Sequence, residues 1–180
     1  MSEYLTIDIC GVKADLPILP LPSGIRIAFF NLHGNQTLTE HCGKEIAKRI
    51  KPYNPEVIIT AESKGLQLAH VTARELGQPY YAVARKAQKL YMQDGISVAV
   101  QSITTGGEQK LYLSLHDVNL LKNRRVAIVD DVISTGGSLS GLEALVREAG
   151  GQIVVKATVL AEGDAADRKD ILYLQKIPLL

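Results

Sequence analysis

Val126-Ala127-Ile128-Val129-Asp130-Asp131-Val132-Ile133-Ser134-Thr135-Gly136-Gly137-Ser138 is the stretch that decides the fold. An apolar strand, Arg125–Val129, runs into two acids. A loop of hydroxyls and glycines follows, and the next residues carry the spacing of a helix. Within Gly137–Ala149, Leu139, Leu142, Val146 and Ala149 fall on one face, and Gly150 stands where a C-terminal cap is expected. In open α/β sheets, ligands sit beyond the carboxyl ends of the strands. Glycines let backbone N–H groups approach a phosphate, and a helix start adds unpaired donors and the positive end of a dipole. Ser134, Thr135 and Ser138 contribute hydroxyls. Asp130 and Asp131 suit two ribose hydroxyls while the loop holds a phosphate on carbon 5. No Gly-Lys-Ser/Thr follows and no G-x-G-x-x-G is present, which disfavours a Walker loop and a dinucleotide fold.

The flanking sequence extends the pattern. Upstream, Tyr4–Ile18 reads as two strands turning at Gly11, and Ile25–Phe30 is a short apolar run. Thr37–Lys51 reads as a helix with Leu38, Cys42, Ile46 and Ile50 on one face, stopped by Pro52 and Pro55. Val57–Thr60 is a buried strand, Lys64–Leu76 a helix ended by Gly77, and Tyr80–Ala84 a strand. Lys86–Gln109 is polar and glycine-bearing, with alternation at Ile96–Ile103, which predicts a long mobile hairpin excursion returning at Leu111–Leu115. Downstream, Gln152–Leu160 is a strand and Ile171–Leu180 a strand-like tail. This order predicts one α/β domain over residues 1–180, with a parallel central sheet flanked by helices.

Composition narrows the function. A net charge of +1 gives no bulk attraction to nucleic acid or to an anionic membrane, so anion binding must come from local donors. No apolar run approaches a membrane span, and the N-terminal residues lack a signal-peptide layout, so a cytoplasmic protein is expected. Cys10 and Cys42 have no partner at metal-ligand spacing, which predicts free thiols and no protein metal site. The four histidines form no pattern and receive no role.

Residues 126–138 resemble the thirteen-residue phosphoribosyl-pyrophosphate (PRPP) signature of type I phosphoribosyltransferases. The resemblance extends over most of the chain. Thr60-Ala61-Glu62-Ser63-Lys64-Gly65 is similar to the pyrophosphate loop of the adenine and xanthine enzymes. Ala84-Arg85-Lys86-Ala87-Gln88-Lys89 is similar to the Arg-Lys-x-x-Lys segment that opens their flexible catalytic loop, here about 87–110. The resemblance implies a small hood over the base from about 1–24 and 161–180. It also implies a cis peptide at Glu62–Ser63, and a homodimer in which Arg85 and Lys89 reach the neighbouring site. Arginine is usual in the family at the position of Lys64, which meets a phosphate as a point charge only.

The implied activity is transfer of ribose 5-phosphate from PRPP to a purine base. Asp130 and Asp131 orient the ribose, and Ser134, Thr135, Gly136, Gly137 and Ser138 hold the 5-phosphate. Glu62, Ser63, Lys64 and Gly65, with Arg85 and Lys89, line the pyrophosphate. Mg²⁺ is expected to be held mainly through PRPP itself. Leu19-Pro20-Leu21-Pro22-Ser23-Gly24-Ile25 resembles the adenine enzymes, whereas Phe29-Phe30-Asn31 ahead of a helix carrying Gly43-Lys44-Glu45 resembles the xanthine enzymes. Asn31 falls at their base-contacting asparagine. Where they carry a lysine that reads a purine oxygen, this chain has Glu162, an acceptor suited to an amino group, which favours adenine over xanthine. Phe29 or Phe30 is a candidate to stack on the base. The alternatives are a phosphoribosyltransferase for another base and a non-catalytic PRPP-sensing regulator. Such regulators carry a DNA-binding helical domain ahead of the core, and the residues before Val57 are strand-like at first, with no basic recognition helix. A phosphorylation receiver has no place for the Ser-Thr-Gly-Gly-Ser loop.

Overall fold

The structure is a computed structural model that describes residues 3–21, 24–101 and 108–180. Pro22 and Ser23, and Gly106 and Gly107 of the excursion, lie outside the described residues. Tyr4–Ile9 (β1), Val12–Pro20 (β2) and Arg26–Ala28 (β3) form an antiparallel sheet in the order β1-β2-β3. Its first turn is a two-residue hairpin in which Cys10 and Gly11 both have positive φ, and Asp8 accepts the Gly11 N–H at 2.7 Å.

The central sheet contains Val57–Ala61 (β4), Ala82–Ala84 (β5), and three later strands: Arg125–Ile133 (β8), Gln152–Glu162 (β9) and Leu172–Ile177 (β10). All pairings in it are parallel, in the order β10-β9-β8-β4-β5. Ile96–Gln101 (β6) and Glu108–Leu113 (β7) pair as a separate antiparallel hairpin. The helices are Gln36–Ile50 (α1), Leu66–Glu75 (α2), Leu115–Leu121 (α3) and Gly137–Glu148 (α4).

Because β4 and β8 are buried on both sides, successive residues feed two cores. Ile58, Ala127 and Val129 pack with α1, α2 and the N-terminal sheet. Val57, Ile59, Val126 and Ile128 pack with α3, α4 and the hairpin. Gly43 makes the close α1–α2 approach possible, since a Cβ there would lie 2.4 Å from Val71 Cγ1. From β4 the chain steps outward to β5, and from β8 it steps the opposite way to β9. The switch point lies between β4 and β8, where a crevice opens at the strand ends.

Four expectations change. The tail does not join a hood: β10 extends the central sheet beside β9, because Ile171, Leu174 and Ile177 are buried. The excursion forms the expected hairpin but is docked rather than free. Alternating Val98, Val100, Leu111 and Leu113 give the hairpin an apolar face that packs on α4, where a Cβ on Gly141 would lie 2.5 Å from Val100 Cγ2. The second helix begins at Leu66 rather than Lys64, with Gly65 at its cap. Residues from Leu115 form α3 rather than the end of a strand, started by Ser114, whose Oγ accepts the Asp117 N–H at 3.2 Å. Among the described residues, no helix is long and apolar enough to cross a membrane.

Candidate functional site

The loops after β4 and β8 meet at the switch point. Each leads into a helix whose cap is a glycine making no side-chain hydrogen bond, Gly65 for α2 and Gly136 for α4. The helices that start elsewhere are capped by side chains. Asn35 Oδ1 accepts the Leu38 N–H of α1 at 3.1 Å, and Ser114 caps α3. These two starts therefore keep first-turn N–H groups without a side-chain acceptor, the Leu66 N–H donating instead to Ser63 O at 3.3 Å, and such groups are the donors an oxyanion needs. Gly136 adopts φ +85°, a left-handed conformation that suits glycine.

Between these two helix starts stand Asp130 and Asp131. Apolar patterning alone ends the strand at Val129, but β8 continues to Ile133, with Asp130 opposite Thr158 and Val132 opposite Leu160. Pairing with β9 on one side holds this stretch, while the pairing with β4 ends at Ile128, and both acids are 7% exposed. The Asp131 N–H donates to Asp130 Oδ1 at 3.0 Å. Asp130 lies against the β4 loop: a Cβ on Gly65 would sit 3.4 Å from its Oδ1 and 2.1 Å from Thr60 Oγ1. Burial raises the Asp130 pKa, and the charge of Asp131 raises it further. Burial also raises Asp131, with Lys64 and the Val132 N–H opposing. Asp131 Oδ2 and Thr60 Oγ1 are buried without a hydrogen-bond partner among the described residues. They are buried polar atoms left over beside the loop after β4.

The Glu62–Ser63 peptide is cis, as the resemblance implied. The Glu62 N–H donates to Ala84 O at 2.9 Å, and Glu62 Oε1 accepts the Lys86 N–H at 2.8 Å. Arg85 Nε lies 2.7 Å from Glu62 Oε2, although its N–H is not aligned for a hydrogen bond, so the contact is an ion pair. The Arg85 backbone also exchanges both hydrogen bonds with Tyr112 at 2.8 Å, which ties it to β7. Glu62, Ser63, Lys64, Gly65 and Arg85 are thus gathered beside the acid pair. Lys89 is exposed further along the chain, and no ion pair joins it to Glu62, Asp130 or Asp131.

Lys64 Nζ stands 4.7 Å from the centre of the Phe29 ring. Phe30 is 2% exposed and belongs to the core, so Phe29 is the aromatic that faces the site. Asn31 is exposed next to it and accepts the His33 N–H at 3.1 Å, while His33 is bonded to Gln67 of α2 at 3.0 Å. Glu162 is half-buried at the end of β9, opposite Ile177. Ser134 is half-buried, and Thr135 and Ser138 are exposed around the glycines.

Two features escaped the sequence reading. The Phe29–Lys64 pair spans 35 positions, and nothing local marks it. Arg168 faces the α4 loop: a Cβ on Gly136 would lie 3.1 Å from its Nη1. Its Arg-x-Asp spacing to Asp170 was the only local sign.

Comparison with known proteins agrees with this geometry. The family described as "Phosphoribosyl transferase domain" matches residues 31–177. A xanthine phosphoribosyltransferase of Bacillus cereus is 39% identical over 127 residues, 70% of this chain and 63% of the relative. One from Bacillus mycoides is 38% identical over the same shares. The matched region is therefore just under two thirds of these relatives' length. Among solved structures, an adenine phosphoribosyltransferase from Thermoanaerobacter pseudethanolicus superposes with a TM-score of 0.75 at 22% identity, covering 90% of this chain and 95% of that one. One from Rhodothermus marinus gives 0.72 at 21% identity, covering 97% and 94%. At that identity the likeness concerns the fold.

Proposed function

We propose, given that the chain belongs to the phosphoribosyl transferase domain family, that it transfers ribose 5-phosphate from PRPP to a purine base and releases pyrophosphate. The observation that carries this reading is the pair of uncapped helix starts, after β4 and β8, on either side of a buried acid pair. PRPP has two phosphate groups separated by a ribose, and the crevice offers two anion sites separated by two carboxylates.

In the reaction, the bond from ribose carbon 1 to the pyrophosphate oxygen breaks, a bond to a purine ring nitrogen forms, and the base gives up its ring N–H proton to the pyrophosphate or to solvent. Asp130 and Asp131 accept from the ribose hydroxyls and fix carbon 1 in place. The α4 loop, Ser134 to Ser138, holds the 5-phosphate. Backbone donors of Ser63 to Gly65, with Lys64 and Arg85, take the charge that develops on the leaving group. Of the two residues expected to reach a neighbouring copy in a homodimer, Arg85 is ion-paired to Glu62 of its own chain and serves its own site, whereas Lys89, next to the exposed Leu90 and Tyr91, reaches the neighbour's pyrophosphate. Mg²⁺ would be held mainly through PRPP's own oxygens, with the carboxyls of Asp130 and Asp131 nearby, and would supply positive charge against the pyrophosphate. No side chain acts as a nucleophile.

Phe29 offers a face for the base and Asn31 a polar edge. Glu162, an acceptor, favours adenine through its amino group. Xanthine is the second reading, favoured by relatives 38–39% identical that carry that name. The protein acts as a cytoplasmic salvage enzyme in either case. Incubation with PRPP, Mg²⁺ and each of adenine, hypoxanthine, guanine, xanthine and orotate tests the proposal. A purine-dependent release of pyrophosphate with formation of the monophosphate is expected. Tight PRPP binding with no product from any base would support a PRPP-sensing regulator instead. Sedimentation at micromolar concentration checks the dimer, and a fully active monomer would refute it.

A further inference from the structure

The 5-phosphate site as described lacks a full positive charge. A helix start is worth about half an elementary charge, whereas a phosphate monoester carries about −1.5 to −2 at neutral pH. Ser134, Thr135 and Ser138 are neutral, and Asp130 and Asp131 lie just upstream on β8. Lys64 and Lys86 lie close enough to the two carboxyls to oppose the rise of their pKa values.

A cation reaches the loop from the other end of the chain. After β9, a 3-10 turn at Gly163–Asp167 is anchored by Ala165, 2% exposed in the α4-side core. It delivers Arg168 to the start of α4. Arg168 Nε and Nη2 donate to the two oxygens of Asp170 at 3.0 and 2.8 Å. That fork occupies one edge of the guanidinium and leaves Nη1 facing the loop. Nη1 is the only atom of the described residues, outside the immediate chain neighbours, within 4 Å of a Cβ built on Gly136. Asp170 is itself paired with Lys156 of β9, and Lys156 bonds Glu143 of α4 at 2.9 Å. The guanidinium is thus braced against the helix whose start it serves. A planar, braced guanidinium is well suited to an oxyanion, since little of its freedom remains to be lost on binding.

We propose that Arg168 binds the 5-phosphate of PRPP and of the nucleotide product through Nη1, with Asp170 and Lys156 as its positioning residues. This rests on the functional reading above. The variants R168Q and R168K are compared with the wild type by calorimetry, using ribose 5-phosphate, pyrophosphate with Mg²⁺, and PRPP as separate probes. A lost charge-assisted hydrogen bond corresponds to about a tenfold or greater loss of affinity. R168Q is expected to weaken ribose 5-phosphate and PRPP by that factor and to leave pyrophosphate within about twofold. R168K keeps the charge but not the fork, and is expected to weaken ribose 5-phosphate at least about threefold; it carries the test if R168Q loses its fold. Ribose 5-phosphate binding at wild-type strength in these variants overturns the role of Arg168 alone. A wild-type protein that binds neither ribose 5-phosphate nor PRPP overturns the functional reading as well.

Discussion

Replacing Asp130 with asparagine is expected to strengthen the fold while it weakens the site. Asp130 is buried beside Asp131, and both burial and that neighbour raise its pKa. In the unfolded chain it titrates near 4. Between that value and neutral pH, the folded protein holds a proton that the unfolded chain has released. Stability therefore falls as pH rises through this window, by at most about 1.4 kcal/mol per pH unit for one proton. The Asp131 N–H and the Lys86 charge favour the ionised form and reduce the slope, so a loss of about 1–2 kcal/mol between pH 5 and 7 is expected. D130N removes the titrating group, and its Oδ1 can still accept the Asp131 N–H. Its stability curve should be flatter, and it should exceed the wild type at pH 7 by about 2–3 kcal/mol, with the difference vanishing below about pH 4. Urea unfolding at pH 4, 5, 6, 7 and 8 measures this. The ribose hydroxyls lose one carboxyl oxygen as a hydrogen-bond partner, so PRPP should bind about tenfold more weakly by calorimetry. D130N/D131N should abolish PRPP binding and still fold. An equally steep pH dependence in D130N would refute the burial argument. Unchanged PRPP affinity in the double variant would refute the ribose role.

Three further outcomes follow from close contacts. G65A places a Cβ 2.1 Å from the buried Thr60 Oγ1, and overpacking of this kind costs about 1–3 kcal/mol. Pyrophosphate affinity should fall with it, and T60A in the same chain should recover stability; a G65A protein as stable as wild type would contradict the packing. G141A drives a Cβ to 2.5 Å from Val100 Cγ2 and 2.9 Å from Leu111 Cδ1, so it should loosen the hairpin from α4. Faster limited proteolysis within 96–113 is the expected readout, and unchanged cleavage would count against the docked hairpin. Burial pushes the Cys42 thiol up to about 12, whereas Cys10 is exposed, so one of the two thiols should react with a disulfide reagent at pH 8 until the protein is denatured. Rapid native reaction of both would place Cys42 elsewhere.

The sequence by itself determined the parts that depend on near neighbours. The strand, acids, glycine loop and helix of residues 126–138 are contiguous, so their order and spacing already specify an anion cradle. The helical face of Leu38, Cys42, Ile46 and Ile50 was legible for the same reason, and all four residues are buried. Tertiary structure decided what depends on partners far apart in the chain. Ile171–Leu180 is apolar enough for a strand in a hood or in a sheet, and only the open edge of β9 selected the sheet. The strand end beyond Val129 was hidden because acids have low strand propensity, and pairing with β9 overrides it. The adjacency of β4 and β8 sets the distance between the two uncapped helix starts. Phe29 meets Lys64, and Arg168 meets Gly136, across separations that leave no periodic trace. Local patterning records which face of an element seeks burial, but the element that covers it is chosen by packing of the whole chain.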